Sequence, residues 1–187
     1  ESEWVHRNQS AEKYGASHAV WLYGQGHAVC YNRISRFWDG IDIGGYYSPP
    51  DDPRLRACSI DFYNNHISEC MDDCIEMDYG VHNIRVYRNL CANALMGIST
   101  QPVHGGPGYI YRNVIFNASR YAFKFNCWPA GLHVYHNTCI NPYAFRLTAM
   151  WQSSRLLNNL ALGNEGVESG PIWTGTPTPH TSAMDYN

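Results

Sequence analysis

Apolar residues return along this chain in columns, at intervals too long for a helix and too regular for chance. Asn stands at 32, 65, 89, 113, 137 and 159, with separations of 33, 24, 24, 24 and 22. Three positions before each Asn are Val29, Phe62, Val86, Ile110, Val134 and Leu156. Two positions after are Ile34, Ile67, Cys91, Ile115, Cys139 and Ala161. Tyr63, Tyr87, Tyr111 and Tyr135 fill a further column. A period of this length is one coil of a β-solenoid, in which short strands pair in parallel with those of the next coil at about 4.8 Å. The pattern predicts an all-β fold, a right-handed parallel β-helix of about six coils. It places the Asn column at a tight bend, amide over amide. The Leu-Leu-Asn pattern and helical half of a leucine-rich repeat are absent.

A second block follows each Asn. Asp39-Gly40-Ile41-Asp42-Ile43 aligns with Asp73-Cys74-Ile75-Glu76-Met77 and Met96-Gly97-Ile98-Ser99-Thr100. Tyr121-Ala122-Phe123-Lys124-Phe125 and Tyr143-Ala144-Phe145-Arg146-Leu147 complete it. Strand alternation sends Ile41, Ile75, Ile98, Phe123 and Phe145 inward, and sets Asp42, Glu76, Ser99, Lys124 and Arg146 on one solvent-facing surface. The long first interval marks an inserted loop at 44–58, rich in Pro, able to wall a groove beside that surface. Periodicity fades over 164–187, which reads as an irregular tail. The chain reads as one β-helix domain over 1–187, and as a piece of a longer solenoid, since neither end carries a capping pattern.

Composition narrows this picture little. The hydrophobic share of 44% suffices for a core. A net charge of −3 with 16% charged residues gives no basic footprint for nucleic acid. No apolar run is long enough for a membrane span. Seven Cys, an odd number, match no zinc or haem spacing. Cys91 and Cys139 stand two coils apart in an inward column, beyond disulfide reach, and are expected as packed thiols. Asn8-Gln9-Ser10 and Asn117-Ala118-Ser119 fit the glycosylation sequon and suggest an extracellular or periplasmic location.

The candidate chemistry is acidic. Asp39, Asp42, Asp72, Asp73 and Glu76 fall on two adjacent coils, with Lys124 and Arg146 further along the same sheet. Carboxylates this close repel, which raises at least one pKa and suits general acid work. Asp at tight bends is also ordinary turn chemistry. His133 and His136 read as surface residues, and the Tyr63 column as a structural ladder. Tyr121 and Tyr143 are better placed to stack on a sugar.

Two segments carry a family resemblance. Phe37-Trp38-Asp39-Gly40-Ile41-Asp42 and Met71-Asp72-Asp73-Cys74 resemble the first two signatures of the polygalacturonases, right-handed β-helix glycoside hydrolases within the pectin-lyase-like superfamily. The resemblance implies hydrolysis of a uronate-containing polysaccharide, with Asp72 as acid and Asp39 and Asp73 activating water. Substrate would be bound by Asp42, Glu76, Lys124, Arg146 and Tyr121. The third signature breaks: Leu95-Met96-Gly97 puts Met96 where that family has its His. The fourth, a substrate-binding Arg-Ile-Lys, falls near Phe123-Lys124-Phe125-Asn126, where Lys124 supplies one cation. No cofactor is required by that mechanism. A polysaccharide lyase or uronate epimerase on the same solenoid would instead hold calcium through Asp42, Asp73 and Glu76. A third reading is a non-catalytic glycan-binding or assembly module, joined to further coils or protein partners.

Overall fold

The computed structural model describes residues 17–44, 48–147 and 152–163, with strand backbones at 172–174 and 183–185. Tyr46 and Tyr47 of the inserted loop lie outside the described residues. Three parallel sheets run the length of a β-solenoid of about six turns. The first sheet stacks seven strands, among them His18–Leu22, Asp39–Ile43, Asp73–Glu76, Met96–Thr100, Tyr121–Phe125 and Phe145–Leu147. The second also has seven, including Cys58–Tyr63, His82–Tyr87, Gly108–Tyr111 and Leu132–Tyr135. The third has six short strands, such as Leu90–Ala92 and Val114–Phe116. The strands Ile172–Thr174 and Ala183–Asp185 extend the first two sheets into the segment 164–187.

Each coil turns from the second sheet to the third through a residue in the left-handed region followed by the ladder Asn. Tyr31, Asn64, Arg88, Arg112, His136 and Asn158 hold that first position, with φ between 53° and 58°. The bend exposes backbone groups that the Asn side chains satisfy. Each Asn from 65 onward donates through Nδ2 to a carbonyl of the preceding coil, at Val29, Phe62, Val86, Ile110 and Val134, at 2.9–3.1 Å. Its Oδ1 accepts from both the backbone N and the Nδ2 of the preceding Asn. The expected amide ladder is therefore present, and Asn65, Asn89, Asn113, Asn137 and Asn159 are all buried.

The interior holds the expected apolar columns. Ile41, Ile75, Ile98, Phe123 and Phe145 are buried, as are Ile67, Cys91, Ile115 and Cys139 of the third sheet. All seven cysteines are free thiols. Strict alternation fails at one place in the first sheet. The positions before the Ile column, Gly40, Cys74, Gly97, Ala122 and Ala144, also face inward, toward the third sheet. A Cβ on Gly40 would lie 2.6 Å from Ile67 Cγ2, and one on Gly97 would lie 2.7 Å from Ile115 Cγ2. Close approach of the third sheet thus restricts this column to small residues, and the local bend turns Asp39 and Asp42 to the same outer side.

The inserted loop packs at the corner between the first two sheets. Pro53–Leu55 forms one 3-10 turn, capped by Asp52. Gly24 donates to Leu55 O at 3.0 Å and Gln25 to Pro53 O at 3.0 Å, which anchors the loop on the preceding coil.

The ladder generates a stability prediction. Asn113→Ala removes the acceptor of the buried Asn89 backbone N–H and the donor to Val86 O. Chemical denaturation should show a loss of about 1 to 3 kcal/mol. A change within experimental error would mean that the amides are incidental to the bend.

Candidate functional site

Two columns on the outer side of the first sheet carry the charged residues. His18, Asp39, Asp73, Met96 and Tyr121 occupy one column. Trp21, Asp42, Glu76, Ser99, Lys124 and Arg146 occupy the other. Asp39, Asp73 and Glu76 each bring a carboxylate oxygen within 4.8 Å of the others. Asp72 stands beside them at the corner, half-buried.

The expectation of a solvent-facing surface is overturned. Asp42, Glu76, Ser99 and Lys124 are 3%, 8%, 0% and 4% exposed, and Asp39 and Asp73 are 4% and 0% exposed. Charges buried this deeply must be paired or protonated. Lys124 stands two coils beyond Glu76, a rise of about 9.6 Å. Its long stem passes the small Ser99, and Nζ donates to Asp73 Oδ2 and lies 3.8 Å from Glu76 Oε1. At the other end, His18 Nε2 lies 3.5 Å from Asp39 Oδ2 and 3.2 Å from Asp42 Oδ2, with its ring stacked on Trp21. Asp78, in the turn after Glu76, folds back over the sheet. It accepts from Ser99 Oγ and from the Gln101 backbone N, both at 2.8 Å.

Sequence reasoning missed His18, Asp78 and Arg120. His18 precedes the first ladder Asn, Asn32, so no earlier Asn aligned its block with the others, and Asp78 lies past a strand end, where alternation gives no guidance. Arg120 immediately precedes Tyr121 and lies outside the aligned blocks, so the columns gave it no role. The side chain of Arg146 lies outside the described residues; its backbone pairs with Lys124. Tyr121 is half-buried, its ring 5.9 Å from that of Tyr143.

The cluster holds protons at neutral pH. Burial, then Asp73, Asp72 and Asp42, push the Asp39 carboxyl up to about 8. Burial and Asp78 push Asp42 up to about 7. Burial raises Asp78 to about 7 against the pull of Lys124 and its two hydrogen bonds. Glu76 is driven well above the usual range by burial, Asp78 and Asp73. Burial alone would lower Lys124, but Asp73, Asp78 and Glu76 outweigh it and keep the ammonium charged. Burial also lowers His18, so that ring is neutral while the carboxyls beside it carry the protons. Asp72 differs from the rest: burial and Asp73 raise it, Lys124 and Arg120 draw it back, and it settles at about 6. Asp39 Oδ1 accepts from the Asp73 backbone N at 3.1 Å, whereas Asp73 Oδ1 and Asp72 Oδ1 have no hydrogen-bond partner.

The fold places this chain among the parallel β-solenoids. Set against known proteins, it matches no family model, no curated protein and no solved structure. The polygalacturonase resemblance therefore rests on its own two motifs.

These protonations set the pH dependence of stability. The raised carboxyls bind protons more tightly in the folded chain than in the unfolded one, so stability is greatest when they are protonated. It should fall as pH rises from the ordinary carboxylate range, about 4, toward about 8, each titrating group contributing on the order of 1.4 kcal/mol per pH unit. Asp78→Asn keeps an acceptor for Ser99 and Gln101 but removes a charge, and should flatten this slope and raise the melting temperature at the alkaline end. Thermal unfolding that is insensitive to pH over this window would show that the cluster is ionised and solvated.

Proposed function

We propose that this solenoid is a carbohydrate-active protein that hydrolyses a uronate-containing polysaccharide, with Asp72 as the general acid. The supporting observation is the contrast between Asp72 and its neighbours. Asp39, Asp42, Asp73, Glu76 and Asp78 are buried, whereas Asp72 reaches the surface and has a carboxyl at about 6. A group that is partly exposed and half-protonated at a pH of about 6 suits proton donation to a leaving oxygen. Asp73 raises that pKa and Lys124 limits the rise, so both are positioning residues in this reading. Asp39 and Asp73, expected from sequence to activate water, are buried, and Asp39 holds its proton near neutrality. In this reading Asp72 therefore serves both steps: it gives its proton to the leaving oxygen and, as the carboxylate, takes one back from the attacking water. Arg120, exposed beside the acid, offers a cation to a uronate carboxylate, and Tyr121 offers a ring edge at the same rim. Asp42 and Glu76, expected from sequence to touch substrate, are 3% and 8% exposed, and in this reading they act through the buried network.

The proximity of Asp39, Asp73 and Glu76 favours a second reading, a calcium-assisted lyase or epimerase. Three carboxylate oxygens are a suitable start for a calcium shell of six to eight oxygens. The Lys124 ammonium, already bonded to Asp73, does not fit beside a divalent cation, so hydrolysis is preferred.

Purified protein should release reducing ends from polygalacturonate or alginate, with or without a chelator. Activity should decline as pH rises through about 6, because the acid must carry its proton. Asp72→Asn should lower turnover by about a hundredfold or more and leave the fold intact. Full activity in that variant would remove Asp72 from the mechanism. Unsaturated products that require calcium would establish the lyase, and binding without turnover would establish the module.

A further inference from the structure

The second sheet presents an outer face of opposite character to the first. Its Tyr63, Tyr87, Tyr111 and Tyr135 stack with centroids 5.0, 4.9 and 5.1 Å apart and interplanar angles of 4°, 2° and 5°. The ring faces are thus covered by one another, and their edges meet solvent. Arg88 and Arg112 follow Tyr87 and Tyr111 on successive coils, both exposed, with His136 next in the same column. The Arg88 charge is felt by the hydroxyls of Tyr87 and Tyr111, and the Arg112 charge by that of Tyr135, so these side chains share one surface.

Two features of this row are unfavourable for the isolated chain. Like charges are stacked coil over coil at about 4.8 Å. Two other cations are neutralised, Arg36 by Glu69 at 2.8 Å and Arg85 by Asp61, whereas Arg33, Arg120 and Arg155 are exposed single cations with no like charge stacked on the next coil. Across the coils carrying the four tyrosines, Asp61 is the one acid on this face among the described residues, and Arg85 takes it. Arg88 and Arg112 also sit at φ 55°, a conformation that suits Asn better than Arg. Asn64 and Asn158 hold the equivalent positions at other coils. Tyr31 and His136 share that conformation, so the backbone alone selects no residue; what distinguishes Arg88 and Arg112 is two exposed cations on successive coils with no free acid on their face among the described residues.

The geometry points to a binding tract for an acidic polysaccharide along the solenoid axis, with Arg88 and Arg112 meeting successive carboxylates and the tyrosine hydroxyls meeting sugar hydroxyls. Charge complementarity selects a polyanion. Closed ring faces disfavour a nucleic acid strand, which relies on bases stacking onto exposed aromatic faces. The tract shares with the first-sheet reading only the class of partner, and binding here requires no turnover at Asp72.

The test uses the full chain and polygalacturonate as probe, with affinity measured by calorimetry over a range of salt. The double variant Arg88→Asn, Arg112→Asn should bind about tenfold more weakly and lose most of its salt dependence. Its melting temperature should be unchanged or higher, because Asn suits the backbone and the like charges are gone. The double variant should still release reducing ends at saturating polymer if the first-sheet reading holds, which separates failure of this tract from failure of the catalytic reading. Equal affinity in the double variant would overturn the proposal, as would tighter binding of single-stranded DNA or of anionic lipid vesicles.

Discussion

Parallel pairing between successive coils is the interaction on which this structure depends, because it fixes like position over like position at about 4.8 Å. The consequence differs with the residue. Amides are complementary to themselves, donor to acceptor, so the Asn column becomes a continuous buried hydrogen-bond chain. Tyrosine rings are also compatible with their copies and stack nearly parallel. Charges are not. Asp39 over Asp73 and Arg88 over Arg112 are arrangements that the stacking imposes and electrostatics opposes, so each demands a remedy.

The two sheets answer that demand differently. On the first, the remedy is internal. Lys124 reaches across Ser99 to Asp73, a neutral His18 lies against Asp39 and Asp42, and protons remain on several carboxyls. The electrostatic strain is thereby converted into stored protons, and Asp72 is the member through which one can be exchanged with the outside. On the second, no internal remedy is present for Arg88 and Arg112 among the described residues, and a polyanion would supply it. A single molecule thus has an acidic, proton-holding face and a basic, hydroxyl-edged face, both set by the same repeat.

The columns were legible in the sequence because the period makes each coil an independent reading of the same position. Asn113 could be placed by Asn89 and Asn137, and Ile98 by Ile75 and Phe123. The burial of the outer face was not legible. It depends on how far Lys124 extends past Ser99, on Asp78 folding back after its strand, and on His18 ahead of the first ladder Asn, none of which is periodic. One signal was present but not read: Gly40, Cys74, Gly97, Ala122 and Ala144 form a column of small residues. That column marks where the third sheet presses close and where simple alternation breaks, and it places Asp39 and Asp42 on the same side.

The acid assignments rest on where the protons sit, which nuclear magnetic resonance of the side-chain carboxyl carbons reads directly across a pH titration. This account predicts that Asp72 titrates at about 6, with Asp39, Asp42 and Asp78 above it. Glu76 should remain protonated beyond them. If all five titrated in the ordinary carboxylate range of about 3.9 to 4.3, the cluster would be solvated and ionised, and the central claim of a proton-holding face with Asp72 as its outlet would be contradicted.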